Sequence, residues 1–202
     1  MSNITNKHNV PLALAVWLVA DNYDYQNREN YVSVTSLMRP LRQLVLSART
    51  IAGSLESDLA DYAARSMGNA LHDSIEKAWL NNYRKSMEIL GYPKKVIDRI
   101  LVNPSDELLA RTKDAIPIYL EQRAFKKVGK WTVGGKYDMV ADGVVHDNKS
   151  TSAFTWVSGG KDKDYQLQGS LYRWLNPDKI TEDFIRINFI FTDWSKAEAR
   201  TN

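Results

Sequence analysis

Gly135-Lys136-Tyr137-Asp138-Met139-Val140-Ala141-Asp142-Gly143-Val144-Val145-His146-Asp147-Asn148-Lys149 is the stretch that decides the fold. Asp142-Gly143 is a two-residue hairpin signal, because both positions of a tight turn of this kind need a left-handed backbone. With that turn, Ala141 faces Val144, Val140 faces Val145, Met139 faces His146 and Asp138 faces Asp147. Opposed residues share one face of the sheet, and Asp147 and Lys149, two apart on one strand, share it as well. The hairpin therefore gathers two carboxylates and an ammonium. Like charges placed opposite one another destabilise a sheet. Such a face is either dissolved in solvent or used to hold a cation. Converging carboxylates suit Mg²⁺ or Mn²⁺, and a lysine beside them can orient or deprotonate a water that attacks a phosphodiester.

Around the hairpin, the chain reads as helices first and sheet later. A helix is expected from Pro11 to Asn22, followed by a polar loop from Asp24 to Asn30 and a short extended piece from Tyr31 to Val34. Thr35 or Ser36 then caps a helix through Leu37, Leu41, Leu44 and Val45. Ser57 to Leu90 carries apolar residues at helical spacing and stops at Gly91-Tyr92-Pro93. Two short helices, Lys94 to Leu101 and Ser105 to Leu109, come next. Tyr119 to Phe125, Trp131 to Val140 and Gly143 to Ser150 read as strands, and Phe184 to Thr192 as the last one. A helix from Tyr165 to Leu175 is inserted before it, behind the loop Ser158-Gly159-Gly160-Lys161. The expectation is an α/β (α+β) chain, with three or four strands in a small mixed sheet flanked by helices and a helical N-terminal region. Residues 1–202 form one domain on this reading, divided into 1–56 and a core at 57–192. No closing element is read in Ser195 to Asn202, as in a chain cut short.

Bulk composition narrows the classes. The chain has 202 residues, a formal net charge of +3 and 44% hydrophobic residues. It is too weakly basic to coat nucleic acid passively, though it suits a polyanion met at one face. The absence of cysteine excludes disulfides, thiolate zinc and iron–sulfur clusters, and fits a reducing cytosol. Val10 to Ala20 is apolar but too short to cross a bilayer, and reads as a buried helix. No Gly-x-x-x-x-Gly-Lys-Ser/Thr loop is present, so no helicase motor accompanies the hairpin.

The order of motifs resembles the RecB-like nuclease domain of the PD-(D/E)XK superfamily, which includes lambda-exonuclease-like and CRISPR-adaptation relatives. The resemblance rests on Gly68-x-x-x-His72-x-x-x-Glu76, Glu121 ahead of Phe125, Gly135-x-x-Asp138, Asp147-Asn148-Lys149 and Gln168-x-x-x-Tyr172, in that order, across residues 68–172. Val34-Thr35-Ser36-Leu37 is a softer upstream match. This likeness implies a restriction-endonuclease-like core and a metal-dependent DNA nuclease. It also implies an exonuclease acting in replication, recombination, repair or breakdown of DNA. It makes His72, Asp138 and Asp147 metal ligands, with the carbonyl of Asn148 as a fourth and Lys149 positioning the water. Gln168 and Tyr172 line the site, Gln168 supporting Lys149 or a phosphate. Glu121 is counted with the catalytic residues, standing behind the ligands or serving the structure, and Glu76 stands behind the ligands or is a helix-surface charge.

Beyond the ligands, Gly159, Gly160, Lys161 and Lys163 form either a phosphate-contacting loop or a solvated one. Phe154 and Trp156 either stack on bases or pack in the core. The partners implied are DNA and a separate helicase or recombination protein, in the cytoplasm of a bacterium or a phage-infected host. Many relatives carry four cysteines for an iron–sulfur cluster, and this chain departs from them. The compact cysteine-free form resembles phage-encoded nucleases. Cap-snatching RNA endonucleases also combine His, Asp and Asp/Glu-x-Lys, and a non-catalytic DNA- or partner-binding protein could keep the same fold. The Gln-x-x-x-Tyr helix favours the DNA reading over the first alternative, and the intact Asp138, Asp147 and Lys149 favour it over the second.

Overall fold

The computed structural model describes residues 3–21, 24–26, 28–50, 56–193 and 195. In chain order it contains strand β1 (Asn3–Thr5), helix α1 (Leu12–Val19), β2 (Tyr31–Ser33), α2 (Val34–Leu37), α3 (Leu41–Arg49) and β3 (Glu56–Asp58). A 3-10 turn (Leu59–Tyr62), the long α4 (Ala63–Ile89), α5 (Lys94–Ile97), β4 (Ile100–Val102) and α6 (Asp106–Arg111) follow. The rest is β5 (Ile116–Leu120), β6 (Arg123–Val128), β7 (Trp131–Lys136), β8 (Met139–Ala141), β9 (Val144–Thr151), α7 (Ala153–Ser158), α8 (Asp162–Leu175) and β10 (Ile185–Phe191).

These strands make a mixed α/β structure with three small sheets flanked by helices. One sheet has five strands in the order β10-β9-β8-β5-β4, a second has three in the order β2-β7-β6, and β1 pairs with β3. The β8–β9 hairpin has the register its sequence demands: Met139 opposite His146, Val140 opposite Val145, Ala141 opposite Val144. Asp142 and Gly143 both take positive φ, 50° and 75°, as a tight turn between twisted strands requires.

The pairing stops there. Asp138 does not continue the ladder opposite Asp147. The chain bends at Tyr137-Asp138, and β9 runs on beside β10 in parallel register from Val145 to Thr151. The expected single strands Tyr119–Phe125 and Trp131–Val140 are each broken in two, at Glu121 and at Tyr137-Asp138, and their halves enter different sheets. That division is why the expected sheet of three or four strands becomes a sheet of five beside one of three.

Side chains alternate through the larger sheet with the period of two that strands impose. Ile118, Leu120 and Met139 join the core cluster under Trp79, Tyr83 and Met87 of α4. Tyr119, Val140 and Val145 join the other cluster, with Tyr172 and Leu175 of α8. The sheet is thus covered by α4 on one face and α8 on the other. Gly135 lets the smaller sheet meet α8. A Cβ there would stand 2.7 Å from Val34 Cγ2 and 2.9 Å from Leu175 Cδ1.

Several local readings are corrected. Ser33, rather than Thr35 or Ser36, caps α2 by accepting the Ser36 N–H at 3.0 Å. Pro40 then separates α2 from α3, because proline offers no N–H and disfavours a helical residue before it. Helix α4 begins at Ala63, because residues 56–58 pair with β1 and Asp58 caps the 3-10 turn instead. Ile100-Leu101-Val102 is a strand beside β5 and not the end of a helix. Residues 153–158 form an additional helix, and α8 starts at Asp162. Helix α1 is not buried: only Leu18 is, while Leu12, Leu14 and Val16 are exposed. An eight-residue helix that is apolar all round can turn only one side to its neighbours, here the 3-10 turn and α4. No helix among the described residues is long and apolar enough to cross a membrane.

The close approach at Gly135 gives a test of this packing. Gly135→Ala is expected to cost about 1–3 kcal/mol, the usual penalty for forcing atoms into a filled core. The measurement is the urea midpoint at unchanged slope, and an unmoved midpoint would contradict the close packing of β7 on α2 and α8.

Candidate metal centre

Three side chains meet at the place where the two larger sheets join. His72 comes from α4, Glu121 from the break between β5 and β6, and Asp138 from the break between β7 and β8. One ligand atom from each lies within 4.8 Å of the others. His72 Nδ1 is 3.3 Å from Asp138 Oδ2 and 3.9 Å from Glu121 Oε1. Main-chain bonds fix the two breaks side by side: Glu121 donates its N–H to the Asp138 carbonyl at 2.9 Å, and Tyr137 donates to the Gln122 carbonyl at 3.2 Å. Asp138 Oδ2 also accepts the Asn148 N–H at 2.8 Å, which ties the cluster to β9.

Asp147 stands next to this group but outside the triad. It is almost wholly buried, at 1% exposure. Its Oδ2 lies 2.6 Å from Lys149 Nζ. Gln168 Nε2 donates to Asp147 Oδ1 at 3.4 Å and to Tyr172 Oη at 3.0 Å. Gln168 and Tyr172 therefore brace Asp147 from α8, and the partner of Gln168 is Asp147 rather than Lys149. Asn148 reaches the cluster through its N–H, while its side-chain Oδ1 accepts from Asn188 Nδ2 at 3.0 Å.

The electrostatics are those of carboxylates short of compensation. Burial raises the Asp147 carboxyl above its ordinary value, and Lys149 only partly opposes this. Burial raises Glu121 likewise, against the pull of Lys136, whose Nζ is 2.5 Å from Glu121 Oε2. The hydrogen bond to Asp138 raises the His72 imidazole despite its partial burial. The donor set is oxygen and imidazole, which fits a hard or borderline divalent cation.

Sequence reasoning brought together His72, Glu121, Asp138, Asp147, Asn148, Lys149, Gln168 and Tyr172, and the fold does gather them. It leaves Glu121 open between standing behind the ligands and serving only the structure, and the fold places Glu121 in the triad. Glu76, one turn beyond His72, is not in the triad. Two neighbours were missed. Lys136 pairs with Glu121, and its position two residues before Asp138 on an extended segment was the available signal. Tyr165, one turn before Gln168, lies close enough to feel the charges of Lys149 and Asp147. Phe154 and Trp156 of α7 are exposed and not core, and Gly159, Gly160, Lys161 and Lys163 are exposed as well.

No protein-family model matches this chain. No curated protein matches it either. Among solved structures, the crystal structure of SSO0001 is similar in fold, with a TM-score of 0.51 at 15% identity, over 85% of this chain. The chain spans 66% of the length of that structure, just under two thirds.

The shifts of Asp147, Glu121 and His72 act in one direction on stability. Each group binds its proton more tightly folded than unfolded. The stability that these three groups contribute without a cation is therefore greatest at low pH and is lost as pH rises, first above the ordinary carboxyl value of 3.8 for Asp147 and later through the raised value of His72. Asp147→Asn removes the first part. Melting temperatures in EDTA from about pH 4 to 8 should show wild type losing ground to Asp147→Asn as pH rises. A constant difference between the two would show that charging Asp147 costs nothing.

Proposed function

We propose that this protein is a metal-dependent DNA nuclease of the PD-(D/E)XK type, an exonuclease that hydrolyses phosphodiester bonds in DNA replication, recombination, repair or breakdown. The observation that carries the reading is the meeting of His72, Glu121 and Asp138, from three separate elements, next to the Asp147–Lys149 pair. Buried carboxylates with raised affinity for protons are the electrostatic demand that a cation meets. His72, Asp138 and Glu121 would hold Mg²⁺ or Mn²⁺, with Asp147 and the Asn148 carbonyl completing the set. The imidazole nitrogen tilts the preference towards Mn²⁺. Such a cation supplies Lewis-acid stabilisation of charge on the phosphoryl oxygens. Lys149, held against Asp147, orients the attacking water and stabilises the charge that builds as the bond to phosphorus forms. Gln168 and Tyr172 keep Asp147, and through it Lys149, in one position. The proposed partners are DNA and a separate helicase or recombination protein. The proposed setting is the cytoplasm of a bacterium or a phage-infected host.

Cleavage of linear, circular and single-stranded DNA, beside RNA, tests the reading. Asp138→Asn is expected to abolish Mn²⁺-dependent cleavage of DNA while the fold melts as before or higher. Mn²⁺ should raise the melting temperature of the wild type, and do so much less in Asp138→Asn and His72→Ala. Lys149→Ala should slow single-turnover cleavage by about 10²–10³-fold, the loss typical of one preorganised electrostatic group. Lys149→Arg should not restore it, because a planar fork cannot replace a compact ammonium. DNA binding in Ca²⁺ should change by about tenfold at most in both Lys149 variants. Cleavage of RNA alone would move the chain to the RNA-cleaving side of the superfamily. Unimpaired cleavage by both Lys149 variants would remove the hairpin from the mechanism.

A further inference from the structure

A groove of about 1260 Å³ is lined by residues of β2, α2, α3, the first half of α4 and the β6–β7 hairpin. Helix α3 gives it an apolar wall. Three features say what it takes. Trp131 and Tyr25 line it as aromatic side chains, with exposures of 46% and 66%. Tyr31 also lines it, and its hydroxyl is shielded from solvent without a hydrogen-bond partner. Arg39 and Arg65 supply positive charge. Arg39 is exposed and enters no ion pair among the described residues, and Arg65 is 3.7 Å from Asp21. Finally, Arg65, Asn69 and His72 stand at i, i+4 and i+7, one stripe of α4. That stripe leads from the groove to the triad over ~10 Å at a rise of ~1.5 Å per residue.

We infer that this groove binds a single-stranded polynucleotide, with bases against Trp131 and Tyr25 and phosphates at Arg39 and Arg65, the strand following the α4 stripe towards His72. The inference rests on the nuclease reading for its ligand class but not for its location. Bases in a duplex hide their faces in the stack, so aromatic side chains can receive only unstacked bases. Arginines beside them neutralise the phosphates that link those bases. An amphipathic helix of a partner protein matches the apolar wall but leaves Arg39 unanswered.

The test is fluorescence anisotropy of a labelled oligo-dT and of a duplex of the same length, with the full chain, in EDTA and in Ca²⁺ over a range of salt. The single strand should bind about tenfold or more tightly than the duplex, and Trp131→Ala should weaken it by about tenfold or more. Trp131→Phe keeps a stacking face and should bind like wild type. Arg39→Ala, an exposed change that leaves the fold intact, should weaken binding and lower the salt slope by about one. Absence of oligo-dT binding, equal affinity for duplex, or wild-type affinity in both Trp131→Ala and Arg39→Ala overturns the inference. The last of these results is the one a partner helix predicts. Binding that falls in these variants supports the groove even if the wild type cleaves nothing, which would overturn the nuclease reading alone. Cleavage that persists with binding unchanged in both variants overturns the groove alone.

Discussion

Two strands cross from one sheet to the other at the same place, and the rest of the arrangement depends on that crossing. The chain leaves the five-stranded sheet at Glu121 and returns to it at Asp138. Two main-chain hydrogen bonds, Glu121 N–H to the Asp138 carbonyl and Tyr137 N–H to the Gln122 carbonyl, hold the exits side by side. Polar side chains brace them. Gln122 Oε1 accepts from Lys179 Nζ at 2.5 Å and from Tyr137 Oη at 3.2 Å, and Gln122 Nε2 donates to Asn103 at 3.1 Å. A strand that changes sheet cannot complete either ladder, and the side chains at the change point are free of the alternation that governs their neighbours. Glu121 and Asp138 can therefore converge on His72, which a regular hairpin face would not permit.

This explains what the sequence made legible. The turn at Asp142-Gly143 and the register through Met139 and His146 are local, set by backbone preference and alternation over a few residues, and they were readable. The same logic extended by one residue pair put Asp138 opposite Asp147, and there it failed. Nothing in Gly135-Lys136-Tyr137-Asp138 announces a change of sheet. The bend is imposed by long-range partners, chiefly β6 beside β7 and the Asn148 N–H on Asp138. The order of motifs still names side chains that gather, because it is indifferent to how the backbone delivers them.

The misread elements have the same origin. Ile100-Leu101-Val102 follows a helical turn without a glycine between, and only the neighbouring β5 makes it a strand. Residues 56–58 become a strand because residues 3–5 lie beside them, with Asp58 accepting from the Thr5 hydroxyl at 2.9 Å and from the Lys7 N–H at 2.8 Å. By contrast, the stop of α4 at Gly91 depends on its own residues and is legible in the sequence, and Ser105, expected as the first residue of a helix, is the cap of α6. Helix α1 departs the other way: its hydrophobicity predicts burial, but apolar side chains alone do not say which surface covers them.

Glu121 shows why the crossing is more than a joint. The described non-glycine residues with positive φ are asparagines and aspartates, which tolerate that backbone, and Glu121, which tolerates it less well. Its carboxyl is partly buried and raised in affinity for protons. A glycine or an asparagine would make the same bend at lower cost, so the carboxylate is not there for the bend. Two acids of this region also arrive with their own ammonium, Lys136 at Glu121 and Lys149 at Asp147, both within a few residues of Asp138 or Asp147 in the chain. Each ammonium offsets only part of the burial, and both carboxyls still hold their protons more tightly than usual. On the proposed nuclease reading, His72, Glu121 and Asp138 would hold the cation, with Lys136 beside Glu121 and Lys149 kept on Asp147 next to it.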